Sequence, residues 1–490
     1  MADPASEPPF SPTGPLPVPE MPTAQTGPKP FSTVATAILT VLLLVAFSYR
    51  NWAYLTRSRA DLLTYPSTPL FLLHEGMLYH EAVQKLPRTG RIFLTLTGES
   101  NDDIPHECEV ILRDSIAQVE SRNDTNAAIE LRAHLVVLLA ETSAFSNAVR
   151  ELDRLPADNL TSDFRRAFHR YYQTNTLALP IPDNAGTNLL SGWANWRFTA
   201  RWLKASGKLA ELEQLEKFIA TAETRLLKHS MAPAAGGWLL HVVGLAFLVL
   251  LWKKKLVASP HCDVPALPWS AQEYWGLFVR GYLFGLVLEY VAVYVPGLGY
   301  FAWLSHAAVS SLPIIGWLAV RHWLRNPASF RQFFGIPDTL ERASRLVIGA
   351  ITLFGICWLS MLLVYVTSRM IAAPYWAEAV DEVLLLWPWP MRLIRVADGV
   401  VFGPFLEEVL FRGLLFGALR SRLNLIPAAA ISAAAFGLTH FYSLPGFLGV
   451  TMFGFLCAIG REKTGSLLVP IVAHMLTNLF LIGGRLFASL

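Results

Sequence analysis

Charge is scarce in this chain. Only 16% of its 490 residues are charged, against roughly 25% in an ordinary soluble domain. Hydrophobic residues make up 53%, and the mean hydropathy is +0.39. That balance excludes a disordered chain and argues against a soluble globular enzyme. The shortage is uneven: of 37 acidic residues, only 12 follow residue 252. The second half therefore reads as a polytopic membrane protein and most of the first half as soluble. A net charge of +3 is too small to call for a nucleic-acid partner. Cysteine is nearly absent as well. Cys108, Cys262, Cys357 and Cys457 stand far apart, with no CxxC pair, which excludes a disulfide framework and a zinc knuckle. No basic region follows the first Met, so the start is unlike a signal peptide.

What is present falls into four stretches. Residues 1–30 hold ten prolines and one basic residue, Lys29, and are expected to be a disordered tail. Residues 31–49 are uncharged and apolar or small, nearly the ~20 needed to cross a bilayer as a helix. Residues 50–235 carry 21 Lys/Arg and 22 Asp/Glu and read as a soluble helical domain. Within it Ile129, Leu135, Val136 and Leu139 mark a helix over 126–140. Further helices are expected at 145–155, 162–174, 190–206 and 208–228. This succession of short helices fits a TPR-like solenoid, or else an irregular helical domain. Arg91–Thr97 reads as a lone strand.

Residues 236–490 form a multi-pass membrane domain. Apolar helices are expected at 236–252, 271–295, 300–320, 346–368, 394–419, 426–442, 445–460 and 467–487. Arg280 and Glu289 interrupt the second, which is expected to be tilted, broken or partly lining a cavity. Basic residues gather in alternate loops, at Lys253–Lys255, across 321–345, at Arg420 and Arg422, and at Arg461 and Lys463. These loops belong on the cytoplasmic side, which makes 50–235 extracytoplasmic. Arg50, Arg57 and Arg59 point the other way. The fold class is all-α: a transmembrane bundle with an N-terminal soluble helical domain.

Three polar motifs are embedded in the apolar half. In GPFLEEVLFRGLLFG, Glu408 and Arg412 are four residues apart and share one helix face, so they can pair. Glu407 points about 100° away and stays free of that pair. Each intramembrane charge costs about 2.5–3.5 kcal/mol on insertion scales, so such residues carry either function or a structural ion cluster. The second motif is Phe436-Gly-Leu-Thr-His440. The third is His474-Met-Leu-Thr-Asn478, whose ends lie one turn apart. A lone apolar-face histidine is usually a satisfied core residue. Two, each placed on its own helix beside a free carboxylate, suit water activation at a carbonyl: the carboxylate takes the proton, a histidine orients the water, and histidine or asparagine donates to the oxyanion. Glu and His are equally zinc ligands, though HExxH is absent.

EExxxR, FxxxH and HxxxN on successive hydrophobic helices resemble the CPBP family, the CAAX prenyl endopeptidase and bacteriocin-processing (ABI) group of intramembrane proteases. The likeness covers about 345–490. It implies glutamate-dependent hydrolysis of peptide bonds in membrane-associated or prenylated CAAX-type substrates. It makes Glu407 the base, has His440 position the water, and assigns the oxyanion to His474 and Asn478. Glu408, Arg412 and Phe436 support them. Members are commonly called metalloproteases, so a divalent metal such as zinc would fall to Glu407, His440 and His474. The expected partners are a protein or peptide substrate, the lipid bilayer, and a protein that binds 50–235. The competing reading is a non-catalytic membrane scaffold or bacteriocin self-immunity protein.

Overall fold

The computed structural model describes residues 30–55, 67–96, 104–142, 145–157, 159–172, 187–253, 269–294, 305–371, 384, 386–440 and 442–488. The expected tail, apart from Pro30, lies outside these residues, as do most of loop 253–270 and the start of the helix expected at 300. Every regular element among the described residues is helical.

Helix α1 (Thr33–Leu55) precedes a helical domain built from α2 (Thr68–Gln84), α3 (Arg88–Leu96), α4 (Ile104–Ser121), α5 (Thr125–Thr142), α6 (Phe145–Leu152), α7 (Asn159–Tyr172) and α8 (Gly192–Ala205). Local chemistry sets the boundaries. Asn123 takes a left-handed φ of 60° just after α4, a conformation Asn tolerates at helix ends. The Asp124 carboxylate then accepts the Ala127 N–H at 3.1 Å, capping α5. Leu112, Leu135, Phe164, Phe168, Trp193 and Phe198 meet in one core. The helices run from 8 to 18 residues.

Of the strand expected at Arg91–Thr97, Arg91–Leu96 is helical instead, and Thr97 lies outside the described residues. The expected strand has no partner strand among the described residues. A lone extended segment leaves its backbone groups unpaired, whereas a helix satisfies them internally. Leu94 is then buried.

The helices expected at 208–228 and 236–252 are one continuous 44-residue helix, α9 (Leu209–Trp252). It runs through Pro233, Gly236 and Gly237 because packing holds it there. A Cβ on Gly237 would stand 3.2 Å from the Phe480 ring. Lower down, Gly244 and Gly355 bring two backbones into direct contact, and a Cβ on either would collide with the other helix.

The membrane part continues with α10 (Ala271–Tyr294), α11 (His306–Leu318), α12 (Pro327–Phe334), α13 (Leu340–Ile371), a composite α14 (Trp389–Arg420), α15 (Leu425–Leu438), α16 (Leu444–Thr464) and α17 (Leu468–Ala488). Among the described residues, four segments are long and apolar enough to cross a membrane: Ala235–Trp252, Ala271–Ala292, Leu340–Ser368 and Leu444–Thr464. Shorter apolar helices cover Thr33–Tyr49, Leu425–Leu438 and Leu468–Ile482. The chain is a multi-pass membrane protein.

Helix α10 is unbroken, and Arg280 is buried against the start of α1. It donates to Thr36 Oγ1 and Gly276 O, each at 3.1 Å. Its guanidinium lies 4.0 Å from the Phe31 ring centroid, with Arg321 at 3.8 Å. Gln272 donates to Phe31 O at 2.8 Å, so α1 begins beside the start of α10. That is the side of loop 253–270, into which α9 also runs. Helices α1 and α9 both lead away from this side, and the helical domain stands on the other.

Candidate active site

The site is assembled on α14, α15, α16 and α17. Helix α14 is α-helical at its ends, but Asp398–Phe402 and Glu408–Leu415 are π-helical. Such i→i+5 stretches recur at functional sites because they re-aim side chains within a helix. Ser432 of α15 donates to the Phe411 carbonyl at 2.9 Å, satisfying a polar group inside the second stretch.

Glu408 and Arg412 are wholly buried and pair at 3.1 Å. The guanidinium lies 4.2 Å from the Phe436 ring centroid, a cation–π contact strengthened by exclusion of water. Gly454 makes room for it: a Cβ there would be 2.6 Å from Arg412 Nη2 and 3.0 Å from Phe436. The opposite side of the network is His474. Its Nδ1 lies 2.9 Å from Glu408 Oε1, and its Nε2 faces Glu407 Oε2 at 3.6 Å. Its ring meets Phe453 edge-on at 4.7 Å and Phe436 at 6.0 Å.

Glu407 is the accessible carboxylate. Its side chain is 30% exposed, against 0% for Glu408. Adjacent positions on one helix thus leave one acid partly open and enclose the other in the protein.

His440 departs from expectation in its setting. Helix α15 stops at Leu438, and Thr439 and His440 form the turn after it. The His440 amide donates to Gly437 O at 3.2 Å, closing that turn. His440 Nδ1 lies 3.0 Å from Phe436 O. A carbonyl only accepts, so Nδ1 is the donor and Nε2 keeps its lone pair. The ring packs edge-on against Phe436 at 4.6 Å and lies within electrostatic range of Glu407, His474 and Arg412.

Glu407, Glu408, Arg412, Phe436, His440 and His474 therefore converge. Asn478 is near but turned to another task. Its side-chain amide donates to Gly399 O at 2.8 Å, tying α17 to the first π stretch. The neighbouring Asp398 was not singled out from the sequence. Its buried carboxylate accepts from Ala308 N at 3.0 Å and Ala307 N at 3.3 Å, at the N-terminus of α11. A lone acid in an apolar run is the signal that could have found it. Gly399 and Gly454 carry no such signal.

Among the described residues, no three His, Cys, Asp or Glu side chains are grouped to hold a metal ion. Both His474 nitrogens face carboxylates, and His440 Nδ1 is taken by a carbonyl. No step below passes through a metal.

Comparison with known proteins falls on this same segment. Residues 387–480 match the family described as Type II CAAX prenyl endopeptidase Rce1-like. YdiL of Bacillus subtilis (strain 168), named for an assumed membrane-peptidase activity, is 39% identical over 90 residues, which is 18% of this chain and 36% of its own. The membrane-embedded CAAX protease MroQ of Staphylococcus aureus (strain USA300) is 33% identical over 90 residues, 17% of this chain and 35% of its own. The chain thus spans about a third of the length of these relatives. No solved structure matches it. The stretch that matches this family model holds the paired glutamates, the buried arginine and both histidines.

Proposed function

We propose that this protein is an intramembrane endopeptidase in which Glu407 activates water against a peptide bond of a membrane-associated protein. The observation that carries the proposal is the division of labour between adjacent glutamates. Glu408, buried against Arg412, holds His474. His474 in turn faces the exposed Glu407. A base oriented by a second group, itself anchored by a third, is the arrangement hydrolytic sites use to fix a proton acceptor.

Glu407 removes a proton from water as the oxygen attacks the carbonyl carbon. The lone pair on His440 Nε2 accepts the water's second hydrogen and aims it. Negative charge moves to the carbonyl oxygen, toward the Arg412 guanidinium behind Phe436 and the ring of His474. Glu407 then returns the proton to the leaving amine, and the peptide bond breaks. Asn478 keeps α17, and with it His474, in register. Membrane-anchored proteins, including prenylated CAAX-type chains, are the substrate class.

The test is substrate trapping in native membranes with Glu407→Gln. The full-length variant retains uncleaved substrate that wild type converts to fragments, and cleavage falls by about 10²–10⁴. Equal cleavage by wild type and variant sinks the mechanism.

A further inference from the structure

Helix α9 has two opposite faces along its whole length. At about 100° per residue, Ile219, Leu226, Gly237 and Gly244 fall within about 20° of one another. Ile219 and Leu226 are buried in the core of the helical domain, and the two glycines pack on α17 and α13. The opposite sector, about 60° wide, holds Lys217, Thr221, Thr224 and Lys228, and below them Leu239 and Val242. Leu239 is 65% exposed and Val242 51%. One outward stripe thus changes from basic to apolar as it enters the membrane.

A groove of about 490 Å³ lies on the basic part, lined among the described residues by Lys217, Thr221, Thr224, Arg225, Lys228 and His229. Lys217, Arg225 and Lys228 are exposed. The acid of this stretch, Glu223, is buried and paired with Lys85 on the other side of the helix. The apolar span begins at Ala235. With a rise of about 1.5 Å per residue, Lys228 stands about 10 Å above it, Arg225 about 15 Å and Lys217 about 27 Å. The headgroup zone is about 5–8 Å deep. Lys228, and Arg225 at full stretch, can reach it by turning their stems toward the bilayer, and Lys217 cannot.

We infer that Arg225 and Lys228 hold the phosphate of an anionic phospholipid whose acyl chain lies along Leu239 and Val242. The lipid that must cover this apolar stripe places its headgroup beneath these two cations. Each cation near a headgroup favours an anionic lipid by about fivefold. The inference is independent of the peptidase reading.

The test uses the full-length protein in phosphatidylcholine nanodiscs. A photoactivatable phosphatidylglycerol, or the same probe as phosphatidylcholine, is added, and crosslinks within Leu209–Trp252 are measured by mass spectrometry. The glycerol lipid labels α9 at least fivefold more than its choline counterpart. Arg225→Gln with Lys228→Gln brings the ratio near one, while Lys217→Gln leaves it unchanged. Excess soluble glycerol phosphate does not compete. Equal labelling by the two probes in wild type overturns the inference. So does a loss with Lys217→Gln as large as with the other two, which marks a soluble acidic partner. Competition by glycerol phosphate would likewise assign the groove to a soluble ligand.

Discussion

Glu407 and Glu408 are neighbours in sequence and opposites in surroundings, so their loss has opposite signatures. Glu407 takes no part in the pair with Arg412 and is partly exposed. Its replacement by Gln leaves the melting temperature within about 2 °C while removing activity, since exposed changes cost about 0.5 kcal/mol or less. Glu408→Gln strips the buried Arg412 of its counter-charge and His474 of its anchor. Breaking a buried pair from one side costs about 3–5 kcal/mol, so this variant loses stability and activity together. Thermal unfolding in detergent separates the two. A third acid gives a pH signature in the helical domain. Burial pushes Glu75 up to about 7 from an ordinary value of 4.5. Between those values the folded chain keeps a proton that the unfolded chain releases, so stability falls as pH rises through this window and levels off above it. Glu75→Gln flattens that slope in melts recorded from pH 4.5 to 8.

At the scale of elements, Gly454 sets how close α16 comes to α14. Gly454→Ala drives its Cβ toward Arg412 and Phe436, and overpacking of this kind costs about 1–3 kcal/mol. The expected result is a lower melting temperature and reduced cleavage. Unchanged values for both would show that the guanidinium has room to move. The sequence displayed the motifs of this site but not their support. Glu407, Glu408, Arg412, His440 and His474 were legible because charge and histidine are costly inside a membrane and stand out there. The π stretches were not, since i→i+5 bonding changes no residue type. Leu438 as the end of α15 was also hidden: no Pro or Gly follows before Pro445, and only the turn at Gly437–His440 reveals the stop. The lone strand failed for a different reason. Ile92, Phe93 and Thr95 are strand-favouring residues, but a strand needs a partner, and none stands among the described residues.

At the scale of the whole molecule, α9 joins the two parts as one rigid rod. Its buried stripe runs from Ile219, in the domain core, to Gly244, against α13. It also touches Phe480 on α17, six residues beyond His474. Sequence patterning separated two helices here because Pro233, Gly236 and Gly237 read as a break, yet close packing keeps the rod intact. A domain held in this way stands at a fixed height and angle over the site, on the side opposite loop 253–270. By the charge rule that loop belongs in the cytoplasm, and on that orientation we predict that an engineered surface cysteine in the helical domain is labelled by a membrane-impermeant maleimide in intact cells. Labelling only after lysis reverses the orientation. The rod also predicts how the domain serves cleavage. If it presents the native substrate, a six-residue Gly-Ser insertion at 230–233 frees it while the site below stays assembled. Cleavage of the native substrate, identified by trapping, then falls by about tenfold or more, because a flexible linker replaces one fixed position with a wide distribution. Cleavage of a short generic peptide, which needs no presentation, stays near the wild-type rate. Equal loss for both substrates means that α9 supports the membrane fold alone, and no loss for either means that the domain has no part in cleavage.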